Sequence, residues 1–263
     1  MKIAIVGYGK MGHMIENSAK NFGHEVVATV DVFSQDATHV VSSGDYDAVA
    51  KIVKESGAEG IIEFSHPSSV MGNIKALLPL GIPLVVGTTG WNDKKDEVIN
   101  LAKACNGAVM TSANFSIGVN MLYKIIEEAS KLVSQFDEYD ASIFEVHHNQ
   151  KVDSPSGTAL DIAKHLMANY PKKDTIVVDA FHKRPKSNEL HVASMRVGAV
   201  PGTHTVYFDS AADTIEITHR ARSREGFANG AVHSLERLVS GINSGKLEKG
   251  KMDIEGFRFS FPS

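Results

Sequence analysis

Residues 145–160 contain the side chains of this sequence that are best suited to move a proton near a negatively charged ligand. His147 and His148 can exchange a proton near neutral pH, and Lys151 adds a positive charge shortly after the pair. Histidine and lysine side chains commonly serve as general acids and bases in enzymes. The segment therefore predicts proton transfer to or from an anionic small molecule.

A helix is predicted to begin inside the same segment, and its first turn is a candidate anion site. Ser156 is a residue type that caps helix N-termini, so the backbone N–H groups of Gly157 and Thr158 would point toward an anion. A carboxylate is the anion that such a site suits. Taken singly, these residues also fit a polar surface loop in which Ser156 is only a helix cap.

Metal binding is the other chemistry that paired histidines suggest. His147 and His148 are neighbours on a predicted strand, so their side chains point to opposite faces and make a poor chelate. No cluster of cysteines or carboxylates at metal-ligand spacing completes a site in the sequence. We therefore expect no metal.

A second candidate site is the glycine-rich loop near the N-terminus. Its G-x-G-x-x-G pattern follows a predicted strand at 2–6 and opens a predicted helix, which is the context of dinucleotide-binding loops. The first glycine permits a tight turn, the second lets the backbone approach a pyrophosphate, and the third lets helix and strand pack closely. The predicted cofactor-binding residues of this loop are Gly7, Tyr8, Gly9, Lys10, Met11 and Gly12.

An acidic residue at the end of the next strand bears on which dinucleotide binds. Asp31 stands where a carboxylate can accept hydrogen bonds from the ribose hydroxyls of adenosine, and it repels a 2′-phosphate. Val32 supplies no compensating cation, although Lys10 could reach a 2′-phosphate. We expect NADH, NADPH or both as cofactor, with NADH used at least as well.

Two further loops follow predicted strands at 83–87 and 108–111 and belong to the same expected crevice, because strand C-termini line it in a doubly wound sheet. Ordinary turn chemistry is the alternative, since glycine and small hydroxyl residues are common in loops. The residues concerned are Gly87, Thr88, Thr89, Ser112, Ala113, Asn114 and Phe115.

The elements that position these loops alternate between strand and helix from residue 1 to about 111. This rhythm predicts an α/β, Rossmann-type doubly wound parallel sheet. Later strands follow one another with little helix between them, which predicts a second α+β domain carrying an open mixed sheet. The change of pattern after residue 111 places the boundary between the two domains there.

Composition restricts the partners. The 263 residues carry a formal net charge of −4, so there is no global positive field for nucleic acid. No apolar run approaches the roughly 20 residues needed to span a bilayer, and no signal region precedes the first strand. The single cysteine, Cys105, fits a reducing compartment. We expect a cytoplasmic protein without nucleic-acid or membrane partners.

Residues 147–159, HHNQKVDSPSGTA, resemble the signature of the dihydrodipicolinate reductase family. The resemblance extends in order to the glycine loop, to 87–90, to 113–120 and to 227–231. It implies reduction of a cyclic, unsaturated amino dicarboxylate by NAD(P)H with loss of water, in diaminopimelate and lysine biosynthesis. It also implies a homotetramer. Each chain would have a dinucleotide-binding domain at 1–114 plus 225–263, and a substrate-binding and tetramerisation domain at 115–224.

The resemblance further implies roles for individual residues. His147 would be the proton donor and acceptor, with Lys151 as its partner. The substrate would be held by His148, Lys151, Ser156, Gly157 and Thr158.

Two rival interpretations remain. One is a dehydrogenase of the same plan acting on an amino acid, and the other is a non-catalytic NAD(P)-binding regulator. The histidine pair and Lys151 beside a helix start argue against both, because neither needs them. Lys183 and Arg184 have no assigned role and are expected to be solvated loop charges.

Overall fold

The structure, a computed structural model, describes residues 1–112, 114–250 and 252–253, the last two by their backbone only. The chain divides into two compact units. Unit 1 comprises Met1–Ile117 and Arg224–Ser263, and unit 2 comprises Gly118–Ser223.

Unit 1 is built on a seven-stranded parallel sheet with the order β12-β6-β5-β4-β1-β2-β3. The order reverses between β1 and β4, which is where a doubly wound sheet opens a ligand crevice at the strand C-termini. Its strands are β1 (Lys2–Val6), β2 (Glu25–Asp31), β3 (His39–Val40), β4 (Gly60–Glu63), β5 (Leu84–Val86), β6 (Val109–Thr111) and β12 (Met252–Asp253).

Helices connect these strands, and the Rossmann-type prediction is confirmed. The central strands are mostly apolar, and all of their residues except Lys2 are buried, as expected when helices cover both faces. Asn92 and Asp93 do not cap a helix as their types suggest, because they form a 3-10 turn before the helix itself. The helices are α1 (Lys10–Asn21), α2 (Tyr46–Glu55), α3 (Val70–Leu77), α4 (Lys95–Ala104) and α7 (Glu225–Asn243).

Unit 2 is an α+β structure with a five-stranded mixed sheet of order β11-β10-β7-β9-β8, which confirms the predicted second fold. β7 pairs in parallel with β9 and antiparallel with β10. The strands are β7 (Asp140–His147), β8 (Thr175–Val177), β9 (Glu189–Arg196), β10 (Thr203–Asp209) and β11 (Thr214–Arg220), and the helices are α5 (Ile117–Val133) and α6 (Gly157–Met167).

One face of the unit 2 sheet contributes to the core. Ile143 and Val206 are buried there in the same apolar cluster as Ile126 of α5 and Ile162 of α6. Alternate residues of β7 are buried, so Glu145 shares this inner face with Ile143. Polar side chains on the inner face must therefore find partners inside the protein.

No helix in the described part of the chain is both long enough and apolar enough to cross a membrane.

Packing of α7 against the loop after β6 requires a glycine at position 230. A Cβ added there would lie 1.7 Å from the carbonyl oxygen of Phe115. Because backbone cannot yield as a flexible side chain does, we expect Gly230→Ala to lower the free energy of unfolding by about 1–3 kcal/mol. Urea or thermal unfolding measures the change.

The matched control for that variant lies on the same helix. At Gly226 an added Cβ would have the Ser116 Oγ as its nearest neighbour, at 3.6 Å. Gly226→Ala should leave stability unchanged or raise it by up to about 1 kcal/mol, since alanine favours helix. Equal stability of the two variants would contradict the close packing at Gly230.

Candidate functional site

The glycine loop after β1 has the backbone geometry that a pyrophosphate site needs. Gly7 has a φ of +92°, and a Cβ there would meet the carbonyl oxygen of Phe64 at 2.3 Å. At Gly12 a Cβ would lie 2.4 Å from the carbonyl oxygen of Gly7. Nothing lies within 4 Å of a Cβ at Gly9, so backbone is open to a ligand there. The backbone geometry at the three glycines thus fits the separate roles that the motif predicts.

A cavity of about 570 Å³ adjoins this loop at the carboxyl ends of β1, β2 and β4. Gly7, Gly9 and Asp31 line it, together with Ser34 and Phe64. A cavity of this size suits a nucleotide moiety. The open backbone, the helix N-terminus behind it and the carboxylate at its edge fit NAD(P).

Asp31 is held by backbone groups of its own surroundings. Its Oδ2 accepts a hydrogen bond from the N–H of Tyr8 at 2.6 Å, and its Oδ1 accepts from Phe33 and Ser34 at 2.7 and 3.0 Å. Burial raises the pKa of Asp31, but these bonds outweigh it and hold the pKa below its usual value. Asp31 therefore stays charged, with most of its acceptor positions already used.

The other predicted residues of the glycine loop do not line this cavity. The Tyr8 ring stacks on His13 with centroids 4.1 Å apart, and its hydroxyl donates to Glu16. Lys10 is exposed at the start of α1. The cavity lining does not include Tyr8, Lys10, Met11 or Gly12. If these residues contact a cofactor, we expect them to do so through their backbone or through a flexible side chain.

The residues after β5 are fixed largely by packing. A Cβ at Gly87 would overlap the Phe64 ring at 1.9 Å, so glycine is required for that ring to lie against the strand end. Thr88 is buried, and Thr89 is exposed. None of the three lines the cavity beside the glycine loop.

The loop after β6 is organised internally. Ser112 donates through its hydroxyl to the carbonyl of Asn114 at 2.9 Å, and Phe115 is buried in the core of unit 1. Ala113 lies outside the described residues. Ser112, Asn114 and Phe115 do not line the same cavity, and their predicted cofactor role stays a prediction.

In unit 2, a buried carboxylate lies at the centre of the candidate catalytic residues. Glu145 is 0% exposed, and its Oε2 lies 2.9 Å from Nδ1 of His147 and 3.6 Å from Nε2 of His204. Its Oε1 lies 2.9 Å from Nη2 of Arg196 and accepts a hydrogen bond from the N–H of Ser156 at 3.0 Å. Strand register brings these residues together, since Glu145 pairs with His204, and His147 with Arg196.

The surroundings of His147 favour its neutral form. The pKa of His147 is lowered to about 4, mainly by burial; the nearby His204, Lys151 and Arg196 contribute to the lowering, while Glu145 opposes it. The ring also needs Gly202 beside it, because a Cβ there would lie 2.9 Å from Nε2 of His147. His147 is thus a buried base that is neutral near neutral pH.

The predicted cap of α6 is confirmed. The hydroxyl of Ser156 accepts a hydrogen bond from the N–H of Ala159 at 3.1 Å, and it lies 3.2 Å from Nε2 of His204. Gly157 is exposed at the first position of the helix, with open space where a Cβ would be, and Thr158 follows it. The start of α6 is therefore accessible, and it lies beside His204.

Lys151 and the start of α6 converge on one carboxylate that belongs to the chain itself. The Lys151 ammonium lies 2.8 Å from Oδ1 of Asp153. Hydrogen bonds from Lys151 and from the backbone of Gly157 hold the pKa of Asp153 below its usual value. Lys151 and the start of α6 were both predicted to bind an anion, and in the structure both bind the carboxylate of Asp153.

His148, half-buried after the end of β7, has its Nδ1 buried without a hydrogen-bond partner in the described structure.

The fold also brings together three side chains of the kinds that bind metal ions. The sequence did not suggest this group, because only one of the two neighbouring histidines belongs to it. Donor atoms of Glu145, His147 and His204 lie within 4.8 Å of one another. However, the guanidinium of Arg196 already supplies positive charge to Glu145. A cation between the three would sit beside that charge, which disfavours metal binding.

Sequence reasoning did not single out Glu145, Arg196 or His204. The sequence did contain a signal for Glu145. Alternate residues of a strand share a face, so Glu145 lies on the same face of β7 as His147. Arg196 and His204 come from other strands, and only the pairing of β7 with β9 and β10 brings them to this point.

Comparisons with known proteins agree along the chain. The family model described as dihydrodipicolinate reductase, N-terminus, matches residues 1–115, and the model of its C-terminus matches residues 118–251. A relative from Christiangramia forsetii, named 4-hydroxy-tetrahydrodipicolinate reductase, is 35% identical over 238 residues, covering 90% of this chain and 92% of the relative. One of the same name from Staphylococcus aureus (strain Newman) is 35% identical over 252 residues, covering 92% and 97%.

Solved structures support the fold. A dipicolinate-bound dihydrodipicolinate reductase from Paenisporosarcina sp. TG-14 has a TM-score of 0.75 at 20% identity and covers 97% of each chain. A probable dehydrogenase from Thermotoga maritima has a TM-score of 0.59 at 11% identity, covering 93% of this chain and 89% of its own. With both halves matched by consecutive family models and with relatives at 35% identity over nine-tenths of its length, the chain belongs to the dihydrodipicolinate reductase family.

Proposed function

We propose that this protein reduces 4-hydroxy-tetrahydrodipicolinate to tetrahydrodipicolinate with NAD(P)H, in diaminopimelate and lysine biosynthesis. The reaction takes up one hydride and one proton and releases one water molecule. Family membership and the relatives' names support the reaction. NAD(P)H supplies the hydride when bound, and unit 1 offers the glycine loop and cavity that fit it.

The observation that carries the proposal is the pairing of Asp153 with Lys151 and the start of α6. A position that holds one carboxylate by an ammonium group and a backbone N–H suits a carboxylate of a dicarboxylate substrate equally well. Asp153 is largely exposed and can move away when the substrate carboxylate takes its place. We infer that Lys151, Ser156, Gly157 and Thr158, together with His148, hold the substrate.

His147 is the proposed proton donor and acceptor. Hydride arrival places electron density on the conjugated ring, and a protonated group beside the ring quenches the developing negative charge. His147 is neutral in the protein alone, and the substrate's two negative charges favour its protonation. Lys151 assists by binding the substrate carboxylate beside it.

Replacing either residue tests these roles. We expect His147→Gln and Lys151→Ala each to lower kcat by about 100-fold or more, the usual loss when a general acid or its partner is removed. Binding of NADH, followed by its fluorescence, should be unchanged. Oxidation of NADH is measured with freshly generated substrate.

The matched controls are His182→Gln and Lys183→Ala, which change the same residue types at exposed loop positions of unit 2. Both should retain the normal rate. Near-normal rates for His147→Gln and Lys151→Ala would refute the proposed mechanism.

We further propose that NADH is used at least as well as NADPH. Asp31 remains ionised at the cavity edge, and none of the described residues lining that cavity is lysine or arginine. A 2′-phosphate near Asp31 would therefore meet negative charge that no lysine or arginine of the cavity lining offsets.

Comparison of kcat/KM for the two dinucleotides tests this preference. Asp31→Asn should shift the NADPH/NADH ratio of kcat/KM toward NADPH, because it removes the repulsion. Asp96→Asn, on the exposed face of α4, is the charge-matched control and should leave the ratio unchanged. A strong NADPH preference of the unaltered protein would contradict the proposal.

We also propose a homotetramer and a cytoplasmic location. The family resemblance supports the tetramer, and so does the outer face of the unit 2 sheet, where Phe144 and Val146 are only partly buried and Met195 is exposed. Light scattering of the purified protein should give four times the chain mass of 28.4 kDa, and a monomer would contradict the assembly. The single cysteine fits a reducing compartment.

A further inference from the structure

Glu145 is a buried carboxylate to which the proposed reaction gives no role. It lies on the inner face of the unit 2 sheet and is 0% exposed. Burial raises its pKa, but contacts from His204, Ser156 and Arg196 outweigh burial and hold the pKa well below its usual range. An ionised carboxylate at such depth is costly, so its partners indicate what it does there.

We propose that Glu145 is the positioning residue of the proton donor. One of its carboxylate oxygens fixes the Nδ1–H tautomer of His147, which leaves Nε2 to deliver the proton, while the other oxygen holds the start of α6. This inference rests on the proposed function, in which His147 gives a proton to the substrate.

The first oxygen, Oε2, explains the tautomer. It lies 2.9 Å from Nδ1 of His147. Both atoms are buried, and neither has an aligned hydrogen-bond partner among the described residues. A proton on Nδ1 satisfies both atoms after a small rotation of the ring, whereas a bare Nδ1 would place two acceptors against each other.

The second oxygen, Oε1, links the proton donor to the substrate-binding helix. It accepts from the N–H of Ser156, the cap of α6, at 3.0 Å, and it lies 2.9 Å from Nη2 of Arg196. The same guanidinium also donates to the carbonyl of Asp153, in the loop that carries Lys151. A single carboxylate therefore sets the distance between His147 and the groups proposed to bind the substrate.

Glu145 also affects the protonation of His147, because its charge differs in sign from the other charges around the ring. Glu145 faces the ring from its own strand, Arg196 from β9, His204 from β10 and Lys151 from the following loop. Of these, only Glu145 is negative, so only Glu145 favours the imidazolium form that the reaction needs. Removing its charge would make His147 harder to protonate.

The tautomer can be measured in the unaltered protein. The ¹⁵N chemical shifts of the His147 imidazole, assigned by comparison with His147→Gln, should show the proton on Nδ1 at neutral pH. A proton on Nε2 would overturn the inference, even if no Glu145 variant folded. Absence of reductase activity in the unaltered protein would instead count against the proposed function.

Kinetics of Glu145→Gln test the consequence for catalysis. This variant keeps the shape of the side chain and removes its charge. We expect kcat to fall about 100-fold with an unchanged KM for NADH. Because His147 must be protonated in the substrate complex, kcat falls as pH rises through the pKa that His147 has in that complex. With that pKa lowered, the fall should begin at lower pH than in the unaltered protein. Glu145→Asp, which keeps the charge, should restore part of kcat and move the pH profile back.

Glu127→Gln is the matched control. Glu127 lies 2.7 Å from Nδ1 of His165 and 2.6 Å from the Lys124 ammonium, so this variant breaks a Glu–His pair of the same unit on its helices. It should leave kcat and the pH profile unchanged. A Glu145→Gln enzyme with a normal pH profile, or bound metal whose removal by a chelator abolishes activity, would overturn the positioning role.

Discussion

The negative charge of Glu145 is the constraint on which the unit 2 site depends. A carboxylate removed from water costs several kcal/mol unless charges and hydrogen-bond donors compensate it. Here Arg196 and the N–H of Ser156 compensate one oxygen, and His147 lies against the other. Those partners belong to a neighbouring strand, to a helix cap and to the end of β7. Satisfying one buried charge therefore fixes three elements relative to one another.

Sequence reasoning succeeded where the structure depends on neighbouring residues. The glycine loop at 7–12 and the cap at Ser156 are local, since their conformations are set within a few residues along the chain. The partners of Glu145 could not be predicted in this way. Arg196 and His204 reach it through strand register, and register between distant strands is decided by how the whole sheet packs.

Asp31 illustrates a different limit of prediction. Its position at the end of β2 followed from the spacing, and the structure places it at the cavity edge. Its hydrogen bonds to the backbone of Tyr8, Phe33 and Ser34 did not follow, because they depend on how the chain turns after the strand. A residue that sequence patterns assign to a ligand can thus also be needed to build the loop that binds it.

Burial and charge together make the proton donor responsive to its ligand. In the protein alone, burial favours the neutral form of His147. Arg196 offsets the opposing charge of Glu145, and Lys151 adds further positive charge, so His147 stays neutral. A bound dicarboxylate would engage Lys151 and bring two negative charges close to the ring, and both effects favour the imidazolium. We therefore expect protonation of His147 to accompany substrate binding. The charge balance of the site, and not the intrinsic basicity of histidine, then decides when the acid is available.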